Sequence, residues 1–112
     1  MRLKSGLWVQ AFLRRGEIDG RYGAVVRRGA EEAGTVFVVI NHLDGTHHLL
    51  GPPPGASINE EGDRLWVAEL QPPADAQAVN DFISRRVRFD PDIWVVEIED
   101  RTGTAGLAFA PS

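Results

Sequence analysis

The chain has no cysteine among its 112 residues. That absence excludes a disulfide framework, a zinc ribbon and a thiol nucleophile, and it fits a reducing compartment. Long hydrophobic runs are missing too. The apolar stretch in "MRLKSGLWVQAFLRRGE", Leu7 to Leu13, is interrupted by Gln10 and closed at once by Arg14 and Arg15. A membrane span needs a longer run, and an export signal needs small residues at a cleavage site. The expectation is a cytoplasmic protein with no membrane partner. No strong excess of charge is present either: 12 basic and 16 acidic side chains leave a net charge of −4. A surface built wholly for nucleic acid is thereby disfavoured, while a local basic patch stays open. The chain shows no internal repeat, nucleophile elbow, phosphate-binding glycine loop or dinucleotide fingerprint.

What is there suits a single domain over residues 1–112, long enough to bury one core. Gln10, Arg14 and Glu17 fall on one narrow polar arc at helical spacing. Leu7, Trp8, Ala11, Phe12 and Ile18 gather opposite, with Val9 and Leu13 at the flank. A helix over 5–18 follows, with Ser5 as N-cap and Gly20 as the stop; Gly16 weakens its last turn. "RYGAVVRRG" then reads as a strand with Tyr22, Ala24 and Val26 on one side and Val25 on the other. "TVFVVINHL", β-branched and uncharged, reads as a central strand covered on both faces. Asp44-Gly45 separates it from "THHLL" as a hairpin.

"GPPPGASINEEGD", residues 51–63, reads as a proline- and glycine-rich loop with a stiff start and a mobile tip. "RLWVAELQ" is the next strand. Asp75 opens a second helix through "AQAVNDFISRRVRF", with Val79, Phe82, Ile83 and Arg86 along one stripe and arginines at its end. Asp90-Pro91 breaks it. "DIWVVEIED" is the last strand, with Trp94, Val96 and Ile98 inward and Glu97 and Glu99 outward. Residues 102–112 read as a loose tail in which Leu107 and Phe109 can form a short edge strand. The order α-β-β-β-β-α-β predicts an α+β domain in two layers: a mainly antiparallel sheet of about five strands, and two helices. Long apolar strands can leave an edge that pairs across a two-fold axis, though no segment demands it.

Four segments together, "LKSGLWVQAFLRR", "VVRRGAEEAG", "NHLDGT" and "FDPDIWVVEIEDR", resemble the domain of unknown function family 1491, small bacterial proteins of about this length. The family pattern runs through an LWV-x-A-x-LRR start, a VVRRG-D-x-x-AG hairpin and an FDPDLWVxEIED end. Ala30 stands where aspartate is usual, and Ile93 where leucine is. The resemblance extends from Leu3 to Arg101. It implies a bacterial, single-domain, cytoplasmic protein, and it brings no activity, cofactor or catalytic residue with it.

Three constellations remain to be weighed. All three histidines lie within "HLDGTHH". A two-residue turn at Asp44-Gly45 sets His42 opposite His47 and Asn41 opposite His48, so His42 and His47 share one face and His48 takes the other. A zinc ion held by His42 and His47 then needs a further ligand, such as Glu60 or Glu61. A longer turn shifts the register by one. The arginine pairs Arg14-Arg15, Arg27-Arg28 and Arg85-Arg86 form an anion or RNA-backbone site if they converge, and a salt-bridged surface if they do not. Asp90 and Asp92 suit turn capping, Glu97 and Glu99 a solvated or arginine-paired strand face, and Trp8, Trp66 and Trp94 core packing.

The leading expectation is a non-enzymatic accessory or interaction domain that binds an unidentified protein partner. The alternatives are nucleic-acid or phosphate binding through the arginine pairs, and a metal-dependent enzyme using His42 and His47. No cofactor is expected.

Overall fold

A computed structural model describes residues 3–111. Met1 and Arg2 of the basic start, and Ser112 of the tail, lie outside the described residues. The elements are α1 (Ser5–Ile18), β1 (Gly23–Arg27), β2 (Val36–Asn41), β3 (His47–Gly51), β4 (Leu65–Ala68), α2 (Ala76–Phe89), β5 (Trp94–Glu99) and β6 (Ala108–Phe109). Among the described residues six strands form one sheet in the order β1-β5-β2-β3-β4-β6. β5 is antiparallel to β1 but parallel to β2, and β6 is parallel to β4. Among those residues the sheet is therefore mixed and six-stranded rather than of about five strands: β1–β5, β2–β3 and β3–β4 are antiparallel as expected, while β2–β5 and β4–β6 are parallel. The chain leaves β4 through α2 and returns beside β2, and a crossover helix of that kind delivers a parallel neighbour where a hairpin cannot.

The helices cover opposite faces, which makes three layers where two were expected. Val36, Val38 and Ile40 of β2 join Trp94, Val96 and Ile98 of β5 in a core with Val9 and Phe12 of α1. Phe37 and Val39 join Val95, Leu49 and Ile93 in a second core with Val79, Phe82 and Ile83 of α2. Strand alternation sends successive residues to the two cores, so every residue of β2 up to Ile40 is buried. The uncharged run of the sequence had this cause.

α1 occupies the expected residues but presents a different stripe. Ser5, Val9, Phe12 and Gly16 are its inward positions together with Gly6, while Leu7 and Ile18 are exposed. Small residues allow the close approach: a Cβ on Gly16 comes within 2.8 Å of the Ile98 Cδ1. Ser5 is not the N-cap. That position belongs to Lys4, which makes no side-chain cap. The Ser5 hydroxyl instead donates to the Gly34 carbonyl at 2.6 Å, and the first free amides, of Ser5 and Gly6, donate to Glu32 and Glu31 carbonyls. The 30–34 loop thus closes the start of the helix with backbone. α2 follows expectation, with the Asp75 side chain accepting from the Ala78 amide at 2.8 Å.

Beyond the three prolines, the loop after β3 closes on itself. Asn59 Oδ1 accepts from the amides of Glu61 and Asp63, and an isolated bridge joins Ile58 to Arg64. At the far end of the chain, Asp100 collects the amides of Thr102, Gly103 and Ala105 and so turns the backbone back toward β4, where β6 pairs.

Candidate functional site

The hairpin between β2 and β3 has a five-residue loop, not a two-residue turn. Asn41 pairs with His47 and Ile40 with His48. Side chains rather than a tight backbone turn shape it. Asn41 Oδ1 accepts from the Leu43 amide at 2.8 Å, and Asp44 Oδ1 accepts from both the amide and the hydroxyl of Thr46. Such local bonds offer the backbone a competing conformation. Leu43 adopts positive φ beside Gly45, which a two-residue turn at 44–45 does not require.

The register change dissolves the His42–His47 pair. His47 exchanges backbone hydrogen bonds with Ala74 at the approach to α2, and its Nδ1 is buried without a partner. His42 instead lies beside His48, the rings edge-on with centroids 5.9 Å apart, and Phe109 of β6 follows at 6.1 Å from His48. His42 Nδ1 is 2.6 Å from the Asp100 carbonyl. A carbonyl only accepts, so Nδ1 carries the proton. Burial, and then the neighbouring His42, hold His48 below its ordinary value. Among the described residues no group of three His, Cys, Asp or Glu side chains is placed to hold a metal ion.

The arginine pairs sit on separate elements. Arg14 and Arg15 are exposed on α1, and Arg15 reaches Asp19 at 3.6 Å. Arg85 and Arg86 are on α2, across the sheet; Arg86 lies over the rings of Phe37 and Phe82. Burial raises the carboxyl of the neighbouring Glu69, and the Arg86 charge works against that rise. Arg27 donates to the Pro91 carbonyl at 2.7 Å, while Arg28 lies over Trp94 and pairs with Glu31. With α1 and α2 on opposite faces, the pairs do not meet in one cluster. Asp90 caps its turn as expected, accepting from the Asp92 amide at 3.0 Å.

One region was not singled out by sequence. β1 forms one end of the sheet and contributes to neither core. Ile18, Tyr22, Val26 and Val25, all within nine residues of chain, are 76, 69, 63 and 42% exposed. The ladder to β5 runs regularly from Gly23↔Ile98 to Val25↔Val96 and then shifts at Val26, so Arg27 faces Val95. The Glu99 amide donates to the Tyr22 carbonyl at 2.8 Å. Antiparallel ladders alternate, so Ala24 bonds toward β5 while the amides and carbonyls of Gly23 and Val25 point to the open side. The β-branched pair Val25-Val26 beside a tyrosine was the visible signal, but it reads equally as a buried strand.

Taken together, the architecture is an α+β domain with a mixed sheet between two helices, an open β1 edge and a histidine-bearing hairpin. The chain belongs to the DUF1491 family, described as proteins of unknown function, whose pattern matches residues 3–108. It is similar to a DUF1491 family protein from Caulobacter crescentus CB15, known from a crystal structure. The two are 32% identical over 96% of this chain and 99% of that one, with a TM-score of 0.78. It is also similar to a protein from A. tumefaciens solved in solution, at 37% identity over 100% and 99% of the two chains and a TM-score of 0.80. No curated protein matches the chain. Among the described residues no helix is long and apolar enough to cross a membrane.

Proposed function

We propose that this protein is a non-enzymatic interaction domain that binds another protein along the open edge of β1. The observation that carries this reading is the exposure of Ile18, Tyr22, Val25 and Val26 around a strand that belongs to neither core. Exposed apolar side chains scattered singly are ordinary, but Tyr22, Val25 and Val26 lie on or next to a row of open backbone donors and acceptors. That combination supports strand addition, in which main-chain bonds supply affinity and flanking side chains supply selectivity.

A lysine at Ala24 tests it. Ala24 stands opposite Glu97, so the new charge has a favourable cross-strand neighbour and the fold is retained. The same charge beside the open backbone obstructs an added strand. Protein recovered from native extract with the wild type is expected to be lost with Ala24→Lys and kept with Pro54→Lys, a control on the exposed proline loop. Equal recovery with both variants overturns the edge as the binding site.

A further inference from the structure

Resting on that reading, we infer that the occupant of the β1 edge is a second copy of this chain. It pairs antiparallel about a two-fold axis at Ala24 and joins two six-stranded sheets into one. The strand's own sequence sets the register. Gly23 and Val25 hold the outward backbone groups, so an edge pairing that uses both, and only the regular part of the strand, bonds Gly23 to Val25 of the second copy and Val25 to its Gly23. Ala24 then meets Ala24, the smallest side chain of the strand after glycine, at the point of closest approach. Tyr22 falls opposite Val26 of the second copy, and by symmetry Val26 opposite Tyr22. This register brings together, twice, two of the most exposed apolar residues of the chain, as an aromatic and β-branched cross-strand pair.

Charge is compatible with it. Arg21 and Arg27 of the two copies also come opposite one another in count. Arg21 is tied to Asp100 and Asp19 at 3.2 and 3.1 Å. It lies one residue before Tyr22, on the side of Gly23 and Ile98, the α1 face. The register shift at Val26 turns Arg27 to the face of Val95, where it holds the Pro91 carbonyl. The two cations therefore project from opposite faces. The irregularity at Val26 that limits longer strand pairing is thus what removes the like-charge conflict. Closure follows as well. The other end of the sheet is β6, two residues long, so the β1 contact is isologous and yields a dimer rather than a filament. A ladder of three residues per copy places the contact in the small class, below about 1,200 Å² in total, and a dissociation constant in the micromolar range.

The test uses the absence of native cysteine. Light scattering on the wild type at several hundred micromolar is expected to approach twice the 12.3 kDa of one chain, and Ala24→Lys is expected to remain at the single-chain mass. Under mild oxidation Ala24→Cys should cross-link to itself. Directly opposed residues that do not exchange backbone bonds have Cα atoms about 4.5 Å apart, within the reach of a disulfide. Val25→Cys should cross-link at least tenfold more slowly. A wild type that stays monomeric throughout, with no Ala24→Cys disulfide, overturns the dimer. A dimer joined through Val25→Cys and not Ala24→Cys overturns the register. In both of those cases the edge reading stands or falls separately, on whether Ala24→Lys loses proteins recovered from extract. A dimer indifferent to Ala24→Lys overturns the site itself.

Discussion

The two ends of the sheet are finished in opposite ways. At one end β6 is two residues long and is fastened down by polar contacts. Asp100 turns the chain through three backbone amides, the Ala110 amide donates to the Trp66 carbonyl, and Phe109 lies against His48. At the other end β1 is five residues long, joins no core, and carries exposed Tyr22, Val25 and Val26. Natural sheets protect their edges by shortness, covering loops or charge. The β6 end uses the first, a strand of two residues. The β1 end has one irregularity at Val26 and otherwise leaves its backbone groups available. Protection at one end and availability at the other argue that the open edge has a use.

The largest expected effect breaks the protected end. Trp66 is buried, lies against Trp8 with the rings tilted, and pairs with Phe109 across β4 and β6. Trp66→Ala should cost about 3–5 kcal/mol in denaturant unfolding and free β6 together with β4. Next comes Asp100, which touches both ends: it holds the tail and also Arg21, just before β1. Burial acts to raise its carboxyl, but the amides of Ala105, Thr102 and Gly103 and the Arg21 charge outweigh burial and hold it low. Asp100→Asn should cost about 1–3 kcal/mol and speed hydrogen exchange at Thr102, Gly103 and Ala105. Because the folded-state value is depressed, the contribution of Asp100 is complete above the ordinary carboxylate range. It is lost as pH falls below about 4. The wild type should therefore lose stability there more steeply than Asp100→Asn.

The contrast between the ends also explains what the sequence made legible. Apolar and polar periodicity located α1, α2 and the strands, and the Asp75 cap marked the start of α2, because both signals act over a few neighbouring positions. The uncharged run of β2 announced burial on both faces. Strand partners were another matter. Nothing local in "DIWVVEIED" states that it lies between β1 and β2, parallel to one and antiparallel to the other, since that follows from the path of α2 across the sheet. The hairpin failed for a different reason: Asn41 and Asp44 bond to the backbone of Leu43 and Thr46 and lengthen the loop, and a shift of one residue replaced His47 by His48 as the neighbour of His42. Ile18 was read as inward because its period matched Leu7 and Ala11. The inward stripe is set instead by Ser5, Val9, Phe12 and Gly16, and the missing side chain of Gly16 admits Ile98 of the sheet.

A smaller effect tests whether the histidines belong to the protected end. His48 is held below its ordinary value by burial and by His42. The unfolded chain then takes up its proton at higher pH than the folded one, so stability should be full above about pH 6.5 and decline as pH falls from there to the folded value. His48→Gln should flatten that slope in urea titrations between pH 7 and 5 and leave the pH 7 value within a fraction of a kilocalorie. A slope unchanged by His48→Gln separates the hairpin from the fastening of β6.

The smallest effect on stability falls at the open end, and there smallness is the point. Val26 is largely exposed and unpaired in the ladder to β5. Val26→Thr keeps the β-branched shape while replacing one methyl by hydroxyl, so stability should move by no more than about 0.5 kcal/mol. Association should respond more strongly, because each copy sets Val26 against Tyr22 and the change is made twice in a two-fold contact. Concentration-dependent sedimentation is the measurement, with unfolding by urea run on the same samples. A weakened association beside an unmoved unfolding midpoint identifies the β1 edge as surface used for binding. If the two quantities fall together, Val26 serves the fold of the edge, and the two ends of the sheet differ only in how each is stabilised.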